Sequence, residues 1–243
     1  MLQELHKPYF PRNSNMKTIP LFLLALSVAI SSASATITLS SRVDFALTSE
    51  GWSIGSGGVQ PTRIASTGPD EDVGYISHYS DGGGANGKWL MWSDDTKWQG
   101  DYTAAGVTAI SLHANLTGGT TPANFRLAFN GPGGWFYSTS QSVVAGWNSY
   151  TFNLLAENFT FATGSPGDQS FANTLTDVTR FEILAGPGGV SYASNGNLLR
   201  AGTSVHTVAL DDIRAVPEPT TFGLVCFALA ASLWLRKKIT MVG

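Results

Sequence analysis

Between residues 36 and 215 no stretch sustains a helical period. Apolar side chains recur there at every second position, in short runs, which restricts this part of the chain to strands. Thr108–Ala114 (TAISLHA), Phe125–Asn130, Ser149–Leu154, Arg180–Leu184 and Thr207–Ile213 each alternate in this way and are rich in β-branched and aromatic residues. That is the pattern of a strand with one buried face. Dense turn signals punctuate the region, among them Gly118-Gly119, Gly131-Pro132-Gly133-Gly134 and Gly186-Pro187-Gly188-Gly189. The last two follow expected strands and read as similar hairpin ends. Phe171–Thr179 alone suits a short helix. Strands with one apolar face must bury it against a second sheet. The expected class is therefore all-β, an antiparallel two-sheet β-sandwich or jelly roll.

Composition narrows the function. The single cysteine, Cys226, excludes a disulfide framework and any CxxC metal or redox pair. Between Thr36 and Ala215 there are 8 Lys and Arg against 15 Asp and Glu, so this region carries −7 while the whole chain carries −3. Such a surface repels phosphate backbones, which excludes general nucleic-acid binding.

The basic residues gather near the ends, where both termini read as addresses. Met16-Lys17 precedes an apolar run from Ile19 to Ile30 and then Ser31-Ser32-Ala33-Ser34-Ala35. A positive start, a short apolar core and an A-x-A ending make a secretory signal peptide. Ala33 and Ala35 suit signal peptidase, with cleavage after Ala35, so residues 1–35 form an extended n-region and signal. At the other end, Val216-Pro217-Glu218-Pro219 precedes the apolar stretch Thr220–Leu235, and Arg236, Lys237 and Lys238 follow at once. Such a helix reaches only about 24 Å, enough for a thinned bilayer. The basic cluster stays cytoplasmic and leaves the bulk of the chain outside.

This order over residues 216–243 resembles the PEP-CTERM sorting signal: Pro217, Glu218 and Pro219, a short transmembrane helix over 220–235, and the basic cluster 236–238. The resemblance implies an exosortase as partner, which cuts near the triplet and passes the protein on. It also implies a Gram-negative producer, with the protein held briefly in the inner membrane and then placed at the cell surface or in an extracellular, exopolysaccharide matrix. An uncleaved membrane-anchored surface protein is the alternative, because a short helix with a basic flank is all an anchor needs.

A second resemblance spans the middle. Phe45 with Ser49-Glu50-Gly51-Trp52, Gly74-Tyr75-Ile76, Lys88–Trp92 (KWLMW) and Trp98–Tyr102 (WQGDY) stand in the order of laminin-IV-like and related carbohydrate-binding, galactose-binding-like jelly rolls. Trp147–Tyr150 (WNSY), Leu175–Thr179 (LTDVT) and Leu210-Asp211-Asp212-Ile213 continue that order. The resemblance implies one domain over 36–215, with Trp52 and Trp147 in its core. It further implies a structural calcium between the first and last strands, with Asp44 and Asp211 as the pair to test. Asp211 and Asp212 lie between Leu210 and Ile213, so alternation turns one of them inward. A buried carboxylate needs a partner, and a cation would serve.

Catalytic signals are few. Gly51-Trp52-Ser53-Ile54-Gly55 matches GxSxG, but a nucleophile elbow needs a strand before its serine and a helix after it, and no βαβ pattern is present. His78, His113 and His206 lack zinc spacing. Glu157 and Glu182 are lone glutamates of the later strands, and a two-carboxyl glycosidase site is neither built nor excluded by them. Exposed aromatic faces stack on sugar rings, and Trp135-Phe136-Tyr137 follows a Gly-Pro-Gly-Gly turn with Asn130 nearby. Trp135, Tyr137 and Asn130 are therefore the candidate glycan platform, burial in the core being the alternative for any single tryptophan. Trp89 and Trp92, three apart, must face opposite sides of one strand. The expectation is an exported, non-catalytic surface or matrix protein that contacts polysaccharide, with a glycan-active enzyme as a further alternative.

Overall fold

The computed structural model describes residues 37–217, apart from 56–57, 70–72, 83–87, 94, 121 and 193–198. Ala33 and Ala35, Glu218 and Pro219, the apolar stretch 220–235 and Arg236, Lys237 and Lys238 lie outside the described residues. Among those described, no helix is long and apolar enough to cross a membrane.

Strands appear in the order β1 (Arg42–Val43), β2 (Trp52–Ile54), β3 (Thr62–Thr67), β4 (Val73–Asp81), β5 (Trp89–Ser93), β6 (Val107–Gly119) and β7 (Ala123–Gly131). They continue with β8 (Gly134–Ser138), β9 (Gln141–Val143), β10 (Asn148–Asn153) and β11 (Phe159–Phe161). After the short helix α1 (Phe171–Thr176) come β12 (Arg180–Ala185), β13 (Ser191–Tyr192), β14 (Leu199–Arg200) and β15 (Val205–Pro217). All five strands expected from alternation are present, most of them longer than the pattern alone suggested.

Two antiparallel sheets form the sandwich. One runs β10-β6-β15-β4-β3 with β1 also on β15, and the other runs β11-β8-β7-β12-β5-β2 with β9 on β7. The main core lies between them. Ile110, Leu112, Ala114 and Leu116 on β6 meet Phe125, Leu127 and Phe129 on β7 and Phe181 and Ile183 on β12 in that core, all buried. The polar residues between them face away, as period two requires. Gly131-Pro132-Gly133-Gly134 closes the β7–β8 hairpin, with Gly131 opposite Gly134. A Cβ at Gly133 would strike the Ser170 carbonyl at the start of α1, so this turn must be bare. Gly186-Pro187-Gly188-Gly189 behaves differently. It closes no hairpin but opens the excursion that carries β13 and β14.

Two histidines lie on the inner face near one end of the sandwich. His78 pairs with Val208 and His206 with Ser80, and the His78 ring lies 5.6 Å from that of Trp89. Burial holds His78 down at about 4 and lowers His206 as well. Both are neutral in the folded protein at pH 7, whereas unfolded histidines take up protons near pH 6.5. Their contribution is thus complete above pH 6.5 and is lost as pH falls towards 4. For His78 alone the loss is about 3 kcal/mol. Urea unfolding at pH 7, 5.5 and 4 checks this, and His78→Asn should flatten the slope.

Candidate functional site

The outer face of the seven-stranded sheet holds the residues expected to form a platform. Cross-strand register sets Ser53, Trp92, Glu182, Ala128, Tyr137 and Thr160 in one row. Asn130 lies opposite Trp135 one step along. Trp135, however, is not an exposed platform: it is 1% exposed. It belongs to a second apolar cluster with Leu90, Ala128, Ala162, Leu184, Leu199 and Ala201. The excursion after β12 folds back over the face and adds Leu199 and Ala201 to this cluster. Tyr137 is half-buried against the same cluster. The Asn130 side chain, also half-buried, donates its Nδ2–H to Thr179 Oγ1 at 3.2 Å. Trp89 faces the core while Trp92 faces outward, as their spacing requires, and the Arg180 guanidinium lies 4.4 Å from the Trp92 ring centroid.

Glu182 is sealed beneath this cover, fully buried. Its Oε2 accepts the Leu199 N–H at 3.0 Å, and its Oε1 has no hydrogen-bond partner among the described residues. Burial pushes its pKa well above the usual carboxylate range, and the Leu199 N–H, Arg180 and Arg200 pull back less strongly. An unfolded glutamate ionises near pH 4.5, whereas the folded one keeps its proton to a higher pH. Glu182 therefore lowers stability as pH rises above 4.5. Glu182→Gln, which cannot ionise, should be more stable than the natural protein at pH 7 and closer to it at pH 4. Thermal melts across that range test the point. Glu157, the other lone glutamate, is exposed in the turn before β11. Ser53 of the GxSxG match lies mid-strand opposite Trp92, not at a strand-to-helix elbow.

The six-stranded sheet carries a different surface. In β15, Asp211 lies opposite His113 and Arg214 opposite Ser111, so Asp212 and Ile213 together face the single residue Leu112. This is a β-bulge, with Asp212 in the left-handed region at φ 47°. The bulge resets alternation: Val208 and Leu210 point into the core before it, Ile213 and Ala215 after it. Both aspartates end up buried, Asp211 at 1% and Asp212 at 2% exposure. The cation that satisfies Asp212 is the protein's own. Arg42 Nε donates to its Oδ1 at 2.5 Å, Arg214 pairs with its Oδ2, and His113 Nδ1 lies 3.7 Å from that Oδ2.

Around this carboxylate, Ser149 lies beside His113 and Thr151 beside Ser111 on the outer face. Ser111, His113, Ser149, Thr151, Asp212 and Arg214 line a cavity of about 450 Å³ that extends to Pro217. Trp147, two residues before Ser149, is not in the core but half-buried at the surface, edge-on to Tyr75 at 5.2 Å. Its turn is held down where Asn115 Oδ1 accepts the Gly146 N–H at 2.9 Å. Because the turn lies outside the sheet, Trp147 has no inner face to occupy.

Asp44 and Asp211 stand at the ends of β1 and of the bulge. Asp44 Oδ1 accepts the Ala46 N–H at 3.2 Å and Asp211 Oδ1 the Asp212 N–H at 2.8 Å. Arg63 donates to the Phe45 and Ala46 carbonyls beside them. Among the described residues no three His, Cys, Asp or Glu side chains gather where a metal could be held. A cation between Asp44 and Asp211 would have to draw on main-chain oxygens and water.

No protein-family model matches the chain, and no curated protein matches it. Solved structures of similar fold include the family 11 carbohydrate-binding module from Clostridium thermocellum in complex with a beta-1,3-1,4-mixed-linked tetrasaccharide. It is 13% identical, with 69% of this chain and 89% of that chain covered and a TM-score of 0.43. Another is the Clostridium thermocellum endo-1,4-beta-D-xylanase CBM22-1–GH10 module pair, complexed with xylohexaose, at 14% identity, 76% and 29% coverage and a TM-score of 0.45. A third is the N-terminal cellulose-binding domain of Cellulomonas fimi beta-1,4-glucanase C, at 15% identity, 75% and 98% coverage and a TM-score of 0.35.

Proposed function

We propose that this chain is an exported, non-catalytic protein of the cell surface or matrix that binds polysaccharide on the outer face of its six-stranded sheet. The observation that carries this reading is the cavity of about 450 Å³ lined by Ser111, His113, Ser149, Thr151 and Arg214. Its volume suits a small ligand. The hydroxyls of Ser111, Ser149 and Thr151, with His113 and Arg214, offer the donors and acceptors that sugar hydroxyls need. Trp147, two residues before the lining Ser149 and edge-on to Tyr75, would supply an apolar face for a ring. The seven-stranded sheet is the poorer candidate, because its aromatic face is covered.

Calorimetric titration of the full chain with a panel of soluble polysaccharides tests the reading. Trp147→Ala should weaken binding about tenfold or more, while Trp92→Ala should leave it unchanged. Loss in Trp92→Ala alone would move the site to the other sheet. Titration with and without EDTA tests calcium at Asp44 and Asp211. Export through signal peptidase and sorting by an exosortase rest on the terminal residues. Cell fractionation tests them: mature protein free of the membrane supports sorting at Pro217-Glu218-Pro219, and retention in the membrane supports an uncleaved anchor.

A further inference from the structure

We propose that Glu182 is a pH-operated latch: its protonated carboxyl holds β14 on the outer face of the seven-stranded sheet, and its ionisation releases that cover. The latch lies on the other sheet from the cavity over Asp212 and does not depend on what binds there.

Attachment is the first argument. β13 and β14 pair with each other and with no strand of the two large sheets. Among the described residues, the one hydrogen bond from either strand to the sheet beneath is the Leu199 N–H to Glu182 Oε2, at 3.0 Å. The rest of the attachment is apolar. Leu199 and Ala201, with Val190 and Tyr192 packed beside them, join the cluster that holds Leu90, Ala128, Trp135 and Leu184. The base of the excursion is secured separately, by Arg126 donating to the Gly186 and Gly188 carbonyls at 3.1 Å each and by the Gly202 N–H on the Pro187 carbonyl. The cover can therefore lift while its base stays fixed.

The carboxyl supplies the switch. Glu182 is 0% exposed, and its Oε1 has no hydrogen-bond partner among the described residues. Burying an ionised carboxylate costs far more than burying its neutral form, and a single N–H donor does not offset that cost. Withdrawal of β14 lets water reach Oε1, so the charge favours the open cover. The row through Ser53, Trp92, Ala128, Tyr137 and Thr160 holds no second carboxylate and no histidine. The charged and titratable groups on the surrounding elements are Lys88 before β5, Arg126 on β7, Tyr137 on β8, Arg180 on β12, Tyr192 on β13 and Arg200 on β14. Of these, Arg180 lies against the Trp92 ring and Arg126 is taken up at the base. Arg180 and Arg200 favour the ionised form, but less strongly than burial opposes it. The closed state thus binds the proton more tightly than the open one, and opening becomes easier as pH rises above 4.5.

Amide hydrogen exchange of the full chain, followed by NMR between about pH 5 and 7, tests the latch. After correction for the intrinsic effect of pH on exchange, the opening constant at the Leu199 amide should rise by up to about tenfold per pH unit. Ile183, held between β5 and β7, should exchange at least about tenfold more slowly than Leu199 at every pH, because it is freed only when the sheet itself opens. Glu182→Gln keeps an oxygen for the Leu199 N–H and cannot ionise. Its corrected opening constant at Leu199 should no longer change with pH and should be at least about tenfold smaller than that of the natural protein at pH 7. A corrected opening constant that is flat with pH in the natural protein would overturn the proposal, as would the same pH dependence in Glu182→Gln. Exchange of Leu199 and Ile183 at one common rate would overturn it too, since the cover would then leave only with the whole fold.

Discussion

Trp52→Ala should lower the stability of the fold by about 3–5 kcal/mol, a large part of the roughly 5–15 kcal/mol that holds a domain together. Trp52 is fully buried on the short strand β2. It meets Phe181 edge-on at 5.5 Å and Trp98 at 6.5 Å. Phe181 in turn stacks on Phe129 at 5.1 Å with an interplanar angle of 9°. Truncation opens a cavity at one end of a continuous aromatic column that rigid strands cannot collapse to fill. Trp52→Phe should cost much less, because the indole N–H has no hydrogen-bond partner among the described residues and most of the ring volume is kept. Urea unfolding followed by circular dichroism measures both variants.

The paired change Arg42→Ala with Arg214→Ala should cost a similar amount, about 3–5 kcal/mol, because it leaves the buried carboxylate of Asp212 without either guanidinium. Each single change should cost less than half as much. One guanidinium still meets the carboxylate after either change, so the two effects do not add. Adding Asp212→Gly to the double variant should recover most of the loss. Glycine removes the stranded charge and adopts φ 47° without strain. If the triple variant were no more stable than the double, the ion pairs would not be what the arginines contribute.

The sandwich was legible in the chain because alternation is a local property. β6, β7, β10 and β15 each present it over six or more residues, and β12 over a shorter run. The short strands β2, β9, β13 and β14 are too brief to show a period, and β5 is buried on most of its length, so its KWLMW run has no polar face to alternate with. The candidate site was legible only in part. Tyr137 and Asn130 do lie on an outer face near Trp135, as the hairpin turn implied. The cluster that takes in Trp135 draws on distant stretches, Ala162 after β11 and Leu199 and Ala201 after β12, and nothing near the tryptophan announces them. Trp147 was misplaced for the opposite reason. A motif match puts it in a strand, whereas the chain holds it in a turn clasped by Asn115. The cavity had a signal that single strands conceal: Ser111 and His113 on one strand, Ser149 and Thr151 on another, are the polar members of two alternating runs. Only their antiparallel register, and a bulge at Asp211–Arg214 that no propensity rule fixes, brings them together with Asp212.

β15 has a mechanical consequence. It lies between β6 and β4, is paired with both, and stays in strand to Pro217, which pairs with Val107 after a last register shift. A pull on the chain beyond Pro217, directed along the strand, is therefore borne by two ladders loaded in shear, whose hydrogen bonds must break together and not one after another. The domain is gripped by its middle strand, and a tether at that end would hold it by the part of the sheet hardest to peel.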